Sequence, residues 1–380
     1  MTVADRLHSV KEYYFSRKLR EVRGLIAQGK PIINMGIGSP DLPPPPSALD
    51  ALNATLHQEG AHKYQSYQGL PELRAAMSNF YSGRFGVVVS AEHELLPLIG
   101  SKEGIMHISM AFLNGGDGVL VPNPGYPTYA SVGRLLGAEL MEYDLSEEND
   151  WLPDIPSLEK LDLQKVKLMW VSYPNMPTGA KITVEKMQEL VHFAKNHNIL
   201  LVNDNPYSFV LNDTPTSIFQ IEGAKECALE LNSLSKTFNL AGWRVGMVIG
   251  SKAHIQAVLK VKSNMDSGMF YGIQKGAVAA LESGQDWFDS LDRTYAKRRD
   301  LMFQLVEKLN CTYDPNAAGM FVWAKLREGA KPAEDFIDEI LYQKDIFIAP
   351  GTIFGSNGEG YIRFSLCVPS EKIKEAISRF

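Results

Sequence analysis

The chain has 380 residues, too many for one ordinary hydrophobic core, so its length favours two domains. With 45% hydrophobic and 22% charged residues it has the composition of a soluble globular protein, and a net charge of −6 argues against a nucleic-acid surface. Three widely spaced cysteines suit neither a metal site nor a disulfide frame, the start Met1 to Arg6 lacks an apolar signal core, and no run approaches membrane-spanning length, so a cytoplasmic protein is expected.

Residues 11–30 read as a helix closed by Gly29 and followed by Pro31. An extended segment from Ile32 reaches a turn at Gly38, which either lets a ligand approach the backbone or serves the turn alone. Pro43 to Pro46 make a stiff connector. Helices are predicted over 47–57 and from Pro71 through Tyr81. Tyr64 and Tyr67 lie in the polar loop between them, where packing is the usual use of a tyrosine.

From Glu94 strands alternate with helices, the pattern of an α/β fold with a mainly parallel sheet flanked by helices. Strand 95–99 runs into Gly100-Ser101-Lys102-Glu103-Gly104, which opens a helix over 105–113. Such a join offers N–H groups and a positive dipole end to a phosphate, although joins of this kind also occur with no ligand. Strand 119–121 leads to Gly125-Tyr126-Pro127, a stiff mount for a stacking ring. After a helix to 136 and a strand over 138–143, residues 144–165 are a polar excursion. Strand 168–172 ends in Tyr173-Pro174-Asn175-Met176-Pro177-Thr178-Gly179, read as a rigid turn that exposes the Asn175 amide. A helix over 183–197 and a buried strand over 199–202 follow, with Asp204 and Tyr207 just beyond.

Lys236, in Ser233-Leu234-Ser235-Lys236-Thr237, lies on a short connection between two strand-like runs. A buried ammonium must be paired or neutralised, and a desolvated lysine beside a cation forms a Schiff base readily. Arg244 is the candidate cation and phosphate anchor. The competing reading is an ordinary lysine on a surface turn. Residues 285–310 read as a long charged helix leading to an α+β remainder with strands over 319–325, 346–349 and 360–366. There Arg363 is either an ion-pair or edge-strand charge or a fork for a carboxylate. Gly100, Tyr126, Asn175, Asp204 and Lys236 all follow predicted strands, where open α/β sheets gather ligands.

Together the segments GIGSPDLPPP, KYQSYQGLPELRAA, GSKEGI, PGYPTY, YPNMPTG, DNPY, SLSKTF, GWRVG, PGTIFG and YIRFS, in that order over nearly the whole chain, resemble the class I/II aminotransferases. These are pyridoxal-phosphate enzymes of fold type I. The resemblance implies a large cofactor-binding domain of residues 46–285 and a small α+β domain built from 1–45 and 286–380. It implies pyridoxal 5'-phosphate on Lys236, which then moves the proton at the substrate Cα. Asp204 would face the ring nitrogen, Asn175 and Tyr207 the phenolate oxygen, and Tyr126 the ring face. Ser101 and Lys102, through their N–H groups, with Ser233 and Arg244, would hold the phosphate. Tyr64 would reach the phosphate of a neighbouring subunit, giving a homodimer with shared sites.

Arg363, with Gly38 and Asn175, would take the substrate, an amino acid or a 2-oxo acid, and Tyr13, Tyr14 and Phe15 would line an apolar part of the pocket. Met176 stands where many relatives have a second asparagine. The Lys102 side chain resembles a position that reads a distal carboxylate in some aspartate-type enzymes, which makes glutamate and 2-oxoglutarate one expected pair. The alternative is that Lys102 points to solvent. A C–S lyase of the same fold shares the cofactor residues and stays open as a second activity. A cofactor-sensing regulator would need a DNA-binding segment that the pattern leaves no room for. No metal and no membrane partner are expected.

Overall fold

A computed structural model describes residues 2–10, 12 and 14–380. Its strands in chain order are β1 (Ile33–Asn34), β2 (Leu95–Leu98), β3 (Gly118–Asn123), β4 (Glu139–Asp144), β5 (Val166–Val171), β6 (Leu200–Asp204), β7 (Ala228–Ser233) and β8 (Gly246–Gly250). There follow β9 (Thr312–Tyr313), β10 (Phe321–Lys325), β11 (Ile346–Phe347), β12 (Ala349–Pro350) and β13 (Tyr361–Ser365).

Strands β2 to β8 form one seven-stranded sheet in the order β2-β8-β7-β6-β5-β3-β4. Only β8 runs antiparallel to its neighbours. Parallel strands covered on both faces read as near-continuous apolar runs, and period-two alternation assigns their side chains to two cores. Leu120, Met169, Val171 and Leu201 pack with Met187, Leu190 and Val191 of the helix Val184–Asn196 on one face. Val119, Val121, Leu168, Trp170, Val202 and Leu231 pack with Ile105 and Ile108 of the helix Ser101–Phe112 on the other. Because β2, β3, β5, β6 and β7 are mutually parallel, their carboxyl ends open on the same edge.

A four-stranded antiparallel sheet, β12-β13-β10-β9, and the parallel pair β1-β11 use the two ends of the chain. Phe15, Val22, Ile33 and Met35 share a core with Tyr295, Met302, Phe321, Phe347, Phe364 and Ile373. The long helix Gln285–Lys308 enters that core with Leu291 and Tyr295, while its Phe288 packs with residues near the large sheet.

Two differences from the sequence reading matter for the site. The helix expected from residue 105 begins at Ser101, because the carboxylate of Glu103 accepts from the Ile99 N–H at 2.7 Å and Gly100 (φ +85°) turns the chain out of β2. Ser101 and Lys102 therefore sit in the first helical turn, where amide N–H groups lack intrahelical acceptors. The stretch 251–284, which the patterning leaves unassigned, forms helices Lys252–Lys262 and Tyr271–Leu281. Small residues at the contacts of the second conceal its periodicity: a Cβ on Gly276 would lie 2.4 Å from the Trp243 ring. Among the described residues, no helix is long and apolar enough to cross a membrane.

Candidate active site

At the carboxyl ends of β5, β6 and β7 lies a cavity of about 600 Å³, closed on the opposite side by β10, β13 and the helix Tyr14–Ala27. Its floor begins with Lys236. Beyond β7 the chain makes one helical turn, Leu234–Thr237, started by Ser233, whose Oγ accepts from the Ser235 N–H at 3.2 Å. That turn aims Lys236 across the cavity, where Nζ donates to the Gly38 carbonyl at 2.5 Å. Burial pushes the ammonium below the usual lysine range, and the charges of Arg363 and Arg244 push the same way. An amine so placed gives up its proton at less cost than an exposed lysine does. The surface-turn reading of Lys236 is set aside.

Asp204, at the end of β6, is 5% exposed. Tyr129 Oη donates to its Oδ2 at 2.7 Å, whereas Oδ1 is buried without a hydrogen-bond partner. Burial pushes the carboxyl up to about 6. A buried acceptor left open costs free energy until a donor fills it, so Oδ1 is open to a donor from a molecule bound in the cavity. Tyr129 is itself locked, stacked on Trp170 at 4.9 Å, with Tyr126 edge-on at 5.6 Å. Tyr126 and Tyr207 both line the cavity; Tyr207 packs edge-on to Phe321 at 5.7 Å, and burial raises its hydroxyl pKa.

An anion cradle lies beside Lys236. Arg244 adopts φ +56°, and its Nη1 donates to the Ala241 carbonyl at 2.9 Å. Its Nη2 lies flush on Gly100, where a Cβ would sit 2.1 Å away; a Cβ on Gly246 would sit 2.7 Å from the Ser101 nitrogen. Only glycine at both positions lets the guanidinium, Ser233 and the first turn of Ser101–Phe112 share one corner. A helix N-terminus with an arginine beside it is a phosphate-binding arrangement. The Lys102 side chain lines the same corner, its Nζ 6.0 Å from the Tyr126 ring centroid.

Across the cavity, Arg363 is buried on β13, which lies between β12 and β10 and so is not an edge strand. Nη2 donates to the Gly36 carbonyl at 2.9 Å and Nη1 to Met176 Sδ at 3.2 Å. The guanidinium rests on the rings of Phe321 at 3.9 Å and Phe354 at 4.6 Å. Gly38 passes so close to Phe321 that a Cβ there would be 2.3 Å from the ring.

The structure corrects the reading of Asn175. Its amide is turned inward: Oδ1 accepts from Thr178 Oγ1 at 2.9 Å and from the Thr178 N–H, and Nδ2 donates to the Ser172 carbonyl. Thus it builds the turn and does not line the cavity; Met176 is the residue of that turn that does. Tyr64 is 91% exposed and also lies outside the cavity wall. Of the apolar trio, Phe15 lines the cavity, Tyr14 packs beside it against the neighbouring core, and Tyr13 lies outside the described residues.

Sequence reasoning missed Asp41 and Arg298, whose two-pronged ion pair at 2.7 and 2.8 Å ties the Gly38 turn to the long helix. A signal existed: Arg298 falls on the apolar face between Tyr295 and Met302. It also missed a partly buried group behind the first turn of Ser101–Phe112. There the ligand-type atoms of Glu103, His107 and Asp266 lie within 4.8 Å of one another, and Lys262 Nζ, 2.9 Å from Asp266, gives the cluster a cation of its own.

A deprotonation-prone amine, an open carboxylate oxygen and two separate arginines within one cavity form a set suited to amine and carbonyl chemistry. Residues 30–380 match the family model described as aminotransferase class I and II. An LL-diaminopimelate aminotransferase of Maridesulfovibrio salexigens is 40% identical over 380 residues, covering 99% of this chain and 98% of that one. Among solved structures, apo-BacF of Bacillus subtilis superposes with a TM-score of 0.95 at 36% identity, covering 100% of this chain and 97% of that one. An aminotransferase of Staphylococcus aureus gives 0.90 at 30%, with 99% and 98% coverage. The chain belongs to the class I and II aminotransferases.

Proposed function

We propose that the chain uses pyridoxal 5'-phosphate to move an amino group between an L-amino acid and a 2-oxo acid, with glutamate and 2-oxoglutarate as one pair. The observation that carries the reading is the open Asp204 Oδ1 across the cavity floor from the Lys236 amine, an arrangement that fits a cationic ring nitrogen and an aldehyde on one planar cofactor. When bound, that cofactor supplies an electron-accepting ring for the pair of electrons left when Cα loses its proton.

The chain's residues do the rest. Ser101 and Lys102 through their amides, Ser233 Oγ and Arg244 hold the phosphate, and Tyr126 covers a ring face. Asp204 keeps the ring nitrogen protonated, and Tyr207 Oη holds the phenolate oxygen. Lys236 Nζ, now hydrogen-bonded to the Gly38 carbonyl, would hold the aldehyde end of the cofactor and is the base placed to move the proton at Cα. Arg363 fixes the substrate carboxylate, and the aromatic wall around it excludes water. On the same reading residues 46–285 are the cofactor-holding domain and 1–45 with 286–380 the domain that brings Arg363. The exposed Tyr64 is proposed to reach the phosphate of a second copy in a homodimer with shared sites.

Incubation of the cofactor-loaded protein with L-glutamate and a panel of 2-oxo acids should yield new amino acids and 2-oxoglutarate. LL-diaminopimelate, the substrate named for several relatives, is the first alternative donor to try. Ammonia release without amino transfer would overturn the reading in favour of elimination. Lys102→Ala should cost glutamate about 10-fold more in kcat/KM than a neutral amino acid; an equal loss on both would remove Lys102 from distal-carboxylate binding.

A further inference from the structure

We propose that Met176 is a positioning residue for the carboxylate grip: its thioether sulfur is the acceptor that holds Arg363 in the orientation a substrate carboxylate meets. The inference rests on the assignment of Arg363 above and deepens it.

Met176 is fixed from below. Its turn is closed by the Asn175 N–H to the Ala180 carbonyl at 2.8 Å and the Gly179 N–H to the Asn175 carbonyl at 2.7 Å. The Asn175 amide is spent within the turn, on Thr178 and Ser172. The next side chain is therefore the one delivered to the cavity wall, where Met176 is 7% exposed and Sδ meets Arg363 Nη1 at 3.2 Å.

A guanidinium has three orientations to fix. Stacking on Phe321 and Phe354 sets its plane, and the Gly36 carbonyl on Nη2 pins one prong. The sulfur on Nη1 sets the rotation about that pin. Nη1 carries two N–H groups, so the sulfur, a weak acceptor, can keep one in line while a carboxylate takes the other through a stronger charge-assisted bond.

The test compares Met176→Leu, which keeps bulk and shape without an acceptor, with Met176→Gln, which restores an acceptor on a side chain of similar length. Full-length protein, with and without pyridoxal phosphate, is titrated calorimetrically with 3-phenylpropionate, a carboxylate with no amine to react. Orientation by the sulfur predicts that leucine weakens binding by about 3- to 10-fold, the cost of ordering a guanidinium that one hydrogen bond no longer holds, and that glutamine stays near wild type. In steady state leucine should raise KM for amino and 2-oxo acids alike while kcat holds. The reverse order, with leucine near wild type and glutamine weak, would show that Met176 acts by packing alone and would overturn the proposal. If wild type binds no 3-phenylpropionate, the role of Arg363 falls and this inference with it. Protein that shows the predicted order but takes up no cofactor would leave the inference standing and overturn the cofactor reading instead.

Discussion

Replacing Asp204 by asparagine separates what this carboxyl costs the fold from what it gives the chemistry. In the cofactor-free chain, burial pushes its pKa from 3.8 up to about 6. The folded state then holds the proton more tightly than the unfolded chain does. Stability accordingly falls as pH rises through that interval, and the penalty is fully present above it. The interval corresponds to roughly 3 kcal/mol at about 1.36 kcal/mol per pH unit, of which roughly 1 kcal/mol has accrued by about pH 4.5. Asparagine keeps an acceptor for Tyr129 Oη and removes the charge, but brings an N–H with no acceptor, so its absolute gain is smaller than the full penalty. Its pH dependence is not affected by that offset. Urea unfolding of cofactor-free wild type and Asp204→Asn should therefore show the variant's advantage growing by about 2 kcal/mol between roughly pH 4.5 and 7.5. Amino transfer by the variant should fall by about 10²- to 10³-fold, since an oriented charge opposite the ring nitrogen is lost. A stability difference that does not move with pH would refute the claim that Asp204 bears a buried charge that Tyr129 alone does not compensate.

Gly38→Ala places a Cβ 2.3 Å from the Phe321 ring, which must move off the Arg363 guanidinium. We expect KM for amino and 2-oxo acids to rise about 10-fold because the displaced ring borders the cavity, with a stability loss of about 1 to 3 kcal/mol from overpacking; unchanged KM would remove Phe321 from the grip. Asp41→Ala leaves the Arg298 guanidinium, 5% exposed, without its carboxylate. Denaturant unfolding should show a loss of about 3 kcal/mol, the usual cost of stranding one partner of a buried pair; a loss under about 1 kcal/mol would mean solvent already screens it.

Much of the fold is legible in the chain because the buried parallel strands read as apolar runs and each is followed by a glycine, proline or hydroxyl turn. Lys236, Asp204 and Ser101 are visible for the same reason: each stands at or just past the end of a strand or at a helix start, where backbone geometry alone directs it. What stays hidden depends on side-chain direction or on sequence-distant partners. The choice between Asn175 and Met176 is a matter of which adjacent residue the turn consumes, and residue type favours the amide although the fold sends it inward. Arg298 finds its partner 257 positions away at Asp41. The helix Tyr271–Leu281 buries glycine and alanine, which carry little hydrophobic signal, against the helix Pro46–Thr55.

The most direct test of the account is to load the purified protein with pyridoxal phosphate, reduce it with borohydride and locate the modified peptide by mass spectrometry. The adduct should lie on Lys236 alone, and Lys236→Ala protein should acquire none while folding normally. A reduced adduct on another lysine, or none on protein that transfers amino groups, would contradict it.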